Sequence, residues 1–312
     1  MPDSTAPASA GLTPRAWQLI LAFSLLYVVW GSTYFAIRIA VRTLPPFGLA
    51  GVRFAIAGGL PLLFMRLRGA PWPTARQWRN AAIAGGCLML GGNGLVSWAE
   101  QSVSSSLAAL LIAVTPLWFV LLEALRPNGT RPSVRGLFGL VVGFIGVAWL
   151  IGPDGMRRDL GSPPLFGIAL CLLACASWAF GSLFAKHSDR PESAFMTSAL
   201  QMLCGGVELV VVSALAGESW LAPSAGPPLT EAWLALVYLI VFGSWLGFGS
   251  YMWLLQRVSP EKLSTYAYVN PLVAVLLGVW LLDEPFTASL LGPALLVLAG
   301  VVIVQLPAAR AR

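Results

Sequence analysis

Charge is what this sequence has least of. Only 10% of its 312 residues are Asp, Glu, Lys or Arg, where a water-soluble domain carries about 25%. With 57% apolar residues and a mean hydropathy of +0.79, too little polar surface is left to face water. Lipid has to be the main solvent. Histidine is nearly missing: His187 stands alone, beside Lys186 and near Asp189, and is expected in a solvated position at a helix end. No cluster of histidines and acids therefore exists to build a membrane-embedded enzyme, and no catalytic residue is assigned. Cysteine is scarce, and Cys87, Cys171, Cys175 and Cys204 all fall inside apolar runs. They read as small buried hydrophobes. Cys171 and Cys175 share a helix face, but no His or acid stands near to complete a metal site. No G-x-x-x-x-G-K-[ST] string occurs, which argues against ATP hydrolysis by this chain. No cofactor is expected. The net charge of +6 does not point to nucleic acid, because that needs a basic patch on a folded surface, and here the basic residues lie in short loops between apolar runs.

What is present is a series of long apolar runs. A spanning helix needs about 20 mostly apolar residues. Ten candidates follow: 16–38, 46–65, 79–99, 104–125, 134–152, 164–186, 194–216, 232–254, 261–282 and 287–306. Residues 1–15 are small and polar and read as a disordered cytoplasmic N-terminus. The run after them is too long for a signal-peptide core. With the N-terminus in the cytoplasm, 14 Lys and Arg fall on the inside, among them Arg66, Arg68, Arg76, Arg79, Arg126 and Arg131. Three, Arg42, Arg157 and Arg158, fall outside. The bias places both termini inside.

The chain also repeats itself. A shift of 155 aligns Gly92 with Gly247, Gly94 with Gly249, Trp98 with Trp253, and Pro116-Leu117 with Pro271-Leu272. A shift of 148 brings Trp30 onto Trp178. Five helices per half is an odd number, so the second half must enter the membrane inverted. The basic loop after the fourth helix and the acidic Asp283-Glu284 after the ninth agree with that. The expected fold is all-α, ten transmembrane helices in two inverted five-helix repeats. The first repeat spans 16–152, a periplasmic linker 153–163, the second repeat 164–306, and a cytoplasmic tail 307–312. Inverted repeats are the architecture of many secondary transporters, because the halves can exchange roles.

The strings WGSTYFAIR at 30–38, AGVRF at 50–54, SWAFGS at 177–182, YAYVNPLVAVLLG at 266–278, LLDEP at 281–285 and LLGPALLVLAGVV at 290–302 carry a resemblance. The chain is similar to the EamA family of the drug/metabolite transporter superfamily, most of all to its YedA-type subgroup, over residues 16–306. The resemblance implies a ten-helix transporter with a substrate cavity between the halves, in an inner (cell) membrane. Its relatives move amino acids, other metabolites or drugs.

Within the spans, side chains with an aromatic face or a polar edge are the cavity candidates: Trp30 and Tyr34, Trp98, Trp178 with Ser182, Tyr251, and Tyr266 with Asn270. An interfacial belt is the alternative for Trp and Tyr and suits Trp17, Trp78, Trp220 and Trp233. Two ionisable groups lie inside spans, where charge is costly. Arg53 either snorkels to the headgroups, forms a structural ion pair or binds a substrate carboxylate. Glu208 is either a coupling proton carrier or a neutral, hydrogen-bonded acid. Pro116 and Pro271 each remove a backbone donor and are expected at kinks that serve gating, with a carbonyl freed toward the cavity. The many glycines permit close helix contacts. The partners implied are a small-molecule solute and the lipid bilayer. The expected function is export or exchange of amino acids or amphipathic metabolites by alternating access. The competing readings are an importer or exchanger of a sugar- or nucleotide-type solute, and a membrane protein that transports nothing.

Overall fold

The computed structural model describes residues 16–127, 129, 132–151, 165–220, 229–255, 257–258, 263, 266–282 and 291–305. The expected disordered N-terminus, the linker 153–163, the acidic pair Asp283-Glu284 and the tail 307–312 lie outside the described residues. Among the described residues the regular structure is all helix. Seven helices are long and apolar enough to cross a membrane: α1 Ala16–Val41, α2 Pro46–Leu67, α3 Ala75–Ala99, α4 Ser105–Leu125, α6 Leu165–His187, α7 Ala194–Leu215 and α8 Leu229–Leu255. Three more are apolar but shorter over their described apolar lengths: α5 Val134–Ile151, α9 Tyr266–Leu281 and α10 Leu291–Gln305.

Helix ends follow local chemistry more than hydropathy. α3 starts four residues before its apolar run because Thr74 caps it. The Thr74 hydroxyl accepts from Gln77 N at 3.2 Å while the Gln77 side chain accepts from Thr74 N at 3.1 Å, a reciprocal capping box. α2 starts at a proline, whose missing N–H costs nothing in the first turn. Its next donors, Phe47 N and Gly48 N, are taken by the Glu218 carboxylate just beyond α7.

Two helices contain wide π turns, Gly86–Gly94 in α3 and Leu239–Phe248 in α8. A shift of 155 residues brings the first stretch onto 241–249, so the two overlap over 241–248. α4 is broken at Ala113–Val114, and Pro116 sits in the first turn of its second part. The Ile112 carbonyl, which Pro116 cannot pair with, accepts from the Thr115 hydroxyl at 2.6 Å. Pro271 instead lies inside α9.

The contacts come in matching sets. α1 packs on α8 and α9, and α6 packs on α3 and α4; α2 lies along α7, and α5 along α10. Glycines set the closest approaches. A Cβ at Gly58 would strike the Leu203 backbone, and one at Gly206 would strike the Ala55 backbone. Without a hydrophobic drive between helices in lipid, such backbone proximity is a main source of association. Large apolar side chains such as Leu63, Phe64, Leu173, Phe180 and Val211 face outward, as a lipid-facing surface requires. Cys171 and Cys175 are buried, Cys87 and Cys204 half-buried, and all four are free thiols.

Candidate substrate pocket

One pocket runs between α1, α2, α3, α4, α6, α8 and α9, with about 690 Å³ of space between atoms, its open mouth included. α1 contributes a single stripe, Trp30, Thr33, Tyr34 and Ile37, whose spacing of three, four and seven places them on one helical face. α6 faces it with Ala174, Cys175 and Trp178 on the same kind of stripe.

The floor is aromatic. Trp30 meets Trp178 edge-on with ring centres 5.7 Å apart and Tyr266 edge-on at 5.4 Å, and it stacks on Tyr251 at 5.1 Å. Such arrangements satisfy the ring quadrupoles. The Trp30 indole N–H donates to the Gly243 carbonyl at 3.1 Å, which pins α1 to the π turn of α8. Two glycines seat the two tryptophans. A Cβ at Gly92 would stand 2.9 Å from Trp178 Cε3, and one at Gly247 would land on the Trp30 indole. These glycines occupy equivalent positions in the two halves of the sequence.

Arg53 enters from α2 and is 4% exposed. Its Nε donates to Ser244 Oγ at 2.9 Å, and the guanidinium lies over the Phe54 ring, 4.5 Å from its centre. Ser244 Oγ in turn donates to the Leu239 carbonyl five residues back, at 3.1 Å, an acceptor that the wide turn leaves accessible. A Cβ at Gly243 would come 2.8 Å from Arg53 Nη2, so glycine there admits the arginine. Arg53 forms no ion pair with a carboxylate among the described residues. The Trp178 indole N–H is buried beside the Tyr251 and Tyr266 hydroxyls, at the edge of hydrogen-bonding geometry. The pocket therefore holds a buried cation that has no counter-ion among the described residues.

Of the residues singled out from the sequence, Trp30, Tyr34, Arg53, Trp178, Tyr266 and Asn270 line this pocket together. Tyr251 and Ser182 lie behind the floor, 2% and 5% exposed, with their hydroxyls 3.5 Å apart. Trp98 lies apart from it, packed against Phe47 and Phe166 and partly exposed. The Asn270 amide nitrogen, in the orientation that suits its neighbours, donates to the carbonyls of Tyr266 and Tyr27, each at 3.1 Å. Glu208 is outside the lining; its carboxylate faces Gly86 at the start of the α3 π turn. Arg53 does not snorkel: it is buried and points inward. Asn93 and Thr115 also line the pocket and were not among the candidates. The signal for each was in the repeat, since Thr115 aligns with Asn270 and Asn93 with Phe248. Among the described residues no group of three His, Cys, Asp or Glu could hold a metal ion.

A sequence model of the EamA-like transporter family matches the chain twice, over residues 17–152 and 165–306. The "Uncharacterized inner membrane transporter YedA" of Escherichia coli K12 is 40% identical over 264 residues, covering 84% of this chain and 82% of that protein. The "Probable terminal-alkyne amino-acid exporter" of Streptantibioticus cattleyicolor is 28% identical, covering 94% of each chain. A solved crystal structure matches with a TM-score of 0.63 at 21% identity, over 93% of this chain and 98% of the other, which speaks to the fold alone. This chain belongs to the EamA-like transporter family.

Proposed function

We propose that this protein is a secondary transporter of the inner membrane that exports or exchanges small amphipathic carboxylates, amino acids foremost. It works by alternating access between two inverted five-helix halves, 16–152 and 164–306, with both termini in the cytoplasm. The observation that carries the substrate class is a buried cation without a counter-ion in an aromatic pocket. A buried guanidinium without a counter-ion is costly, and a ligand carboxylate supplies the missing charge with two acceptor oxygens. The faces of Trp30, Trp178 and Tyr266 accept an apolar side chain and attract an ammonium group weakly. One cation suits one carboxylate; a multiply charged phosphate ester would call for more. The name of the Streptantibioticus relative, an amino-acid exporter, fits the same class.

Several contacts support the inverted, ten-span reading. Asn80, early in α3, donates to the Asp189 carbonyl just past α6 at 2.9 Å, and Arg126, past α4, meets His187 at the end of α6. Those three helix ends share one face of the molecule. Glu218, past α7, holds the start of α2, and Trp220 stacks on Trp233 of α8 at 6.0 Å. α3 thus begins on one face and its counterpart α8 on the other. Glu208, half-buried and away from the pocket, is proposed as a proton-coupling group.

The deciding experiment is transport by purified protein in liposomes, with a panel of amino acids, their decarboxylated amines and their amides. Saturable flux of amino acids that vanishes when the carboxylate is removed is expected. Equal flux of the amines would remove the role given to Arg53.

A further inference from the structure

A second concavity, with about 1300 Å³ of space between atoms, open solvent included, lies between the start of α3 and the ends of α4 and α6. Each helix sends one stripe into it. On α3 the stripe runs Arg76, Arg79, Asn80, Ile83; on α4, Leu122, Leu125, Arg126; on α6, Phe180, Leu183, Phe184, His187. The helix ends put the basic groups at the rim, and the apolar groups follow one or two turns deeper. From Arg76 to Ile83 the axis rises about 10 Å, the distance over which a bilayer passes from phosphate to hydrocarbon. Phe180, about two turns in from the α6 end, is 51% exposed, so the deep end opens outward toward lipid.

Among the described residues the arginines at the rim are only partly neutralised. Arg126 pairs with Glu123 at 3.5 Å and lies 2.5–2.8 Å from the His187 ring. Arg190 caps α6 by donating to the carbonyls of Ala185 and Lys186. Those cations sit at helix C-termini, where the dipole favours them. Arg76 and Arg79 sit at the opposite kind of end. α3 carries no acid in its first turn, and two arginines at a helix N-terminus oppose the dipole. Arg76 makes no hydrogen bond or ion pair among the described residues, and Arg79 reaches only Asn80 Oδ1, at 3.4 Å. Asp189 lies on the same rim, so with Glu123 on Arg126 two carboxylates stand against three arginines.

We propose that this groove is a binding site for one anionic phospholipid, its phosphate held by Arg76, Arg79 and Arg126 and an acyl chain lying along Phe180 and Ile83. Basic pockets between membrane helices recognise anionic headgroups in this manner. The gradient from charge to hydrocarbon selects an amphiphile over a free anion, because a soluble phosphate gains nothing from the apolar wall. The occupant would bridge α3, α4 and α6, three helices that also line the substrate pocket. The proposal needs only that the chain lives in a membrane and stands apart from the substrate assignment.

The test uses the full-length protein purified in uncharged detergent. Lipid retained per protein is measured by native mass spectrometry, and Tm is measured alongside, with phosphatidylglycerol or phosphatidylcholine of identical chains. Wild type should retain one phosphatidylglycerol and gain Tm, with little response to phosphatidylcholine. The double variant R76Q/R79Q should lose retention about thirtyfold, five- to sixfold per charge, while R68Q, a basic change just past α2 and outside the groove, should leave it unchanged. Equal retention of the two lipids by wild type would overturn the proposal whether or not the double variant folds. R126Q gives a second reading of the same site if it does not. Inorganic phosphate alone should leave Tm unmoved; a full stabilisation by phosphate would also overturn it, making the groove a site for a soluble anion.

Discussion

Arg53 concentrates the chemistry of the pocket in one side chain. It is held at one end by Ser244 and at its face by Phe54, so its remaining N–H groups have a fixed direction. Charge-assisted hydrogen bonds contribute about 1.5–3 kcal/mol, which corresponds to roughly tenfold to a hundredfold in affinity. Arg53→Gln should therefore raise KM for a carboxylate substrate by about that factor, with membrane insertion intact. Arg53→Lys should recover only part of it, since an ammonium cannot present two parallel donors. Flux assays with matched protein levels decide this, and an unchanged KM would leave Arg53 a purely structural group. Gly92 tests the floor in a different way. A methyl there meets Trp178 at 2.9 Å, and the indole must move. Overpacking costs about 1–3 kcal/mol, so Gly92→Ala should lower Tm and flux together. Gly249, equivalent to Gly94, has open space around its would-be Cβ, and Gly249→Ala should be nearly silent in both assays.

At the scale of the helix, the two π turns explain why the pocket can exist where it does. A wide turn displaces carbonyls from the regular ladder, and side chains claim them. Ser177 donates to the Cys87 carbonyl at 2.8 Å, Asn93 to that of Leu88 at 3.3 Å, and Ser244 to that of Leu239 at 3.1 Å. Ser244→Ala should release both the Leu239 carbonyl and Arg53, and lower transport more than stability. Glu218→Ala should do the reverse. It removes the acceptor for Phe47 N, Gly48 N and Ser213 Oγ, and losing a helix N-terminal acceptor costs about 0.5–2 kcal/mol. Its Tm should fall while KM holds; a changed KM would mean that the α2 entry shapes the pocket. None of the π turns was legible in the sequence, because residue types that suit a π turn also suit an α-helix in lipid. Seven of the spans were legible from hydropathy, and so was the α1 stripe of Trp30 and Tyr34 that lines the pocket. Trp30 and Tyr34 face the pocket because four residues return a helix to the same side. Trp98 misled for the same geometric reason: it follows Asn93 by five residues, about 140° round the helix, so when Asn93 and Val96 line the pocket, Trp98 looks away. Only the choice of face, set by the neighbouring helices, separates Trp98 from Trp178. Arg53 could not be placed from sequence either, since snorkelling outward and pointing inward need the same residue at the same depth.

For the molecule as a whole, the paired contacts and the charges lead to one expectation about sidedness. α1 reaches both α8 and α9 while α6 reaches both α3 and α4, so a motion of α1 against the rest has its counterpart in α6. Trp30 and Trp178, the matching tryptophans of those two helices, touch edge-on at the middle of the pocket. The second pair that shares a position, Asn93 and Phe248, differs in kind: the α8 side is aromatic and the α3 side is polar. Under the exchange of roles proposed above, one side would close on rings and the other on an amide. This holds only if the two halves cross the membrane in opposite senses, and that can be measured directly. Single cysteines on a background without Cys87, Cys171, Cys175 and Cys204 can be labelled from outside intact cells with a charged maleimide. Ser188, beside the α6 end, and Arg68, past α2, should be protected. Thr43, between α1 and α2, and Ser219, past α7, should label. The basic bias along the chain predicts that protected set, and the contacts of Asn80 with Asp189 and of Glu218 with Phe47 join each group on its own face. Labelling of Ser188 together with Ser219 would place the ends of α6 and α7 on one side, which one crossing of α7 forbids, and the exchange of roles between halves would have to be abandoned.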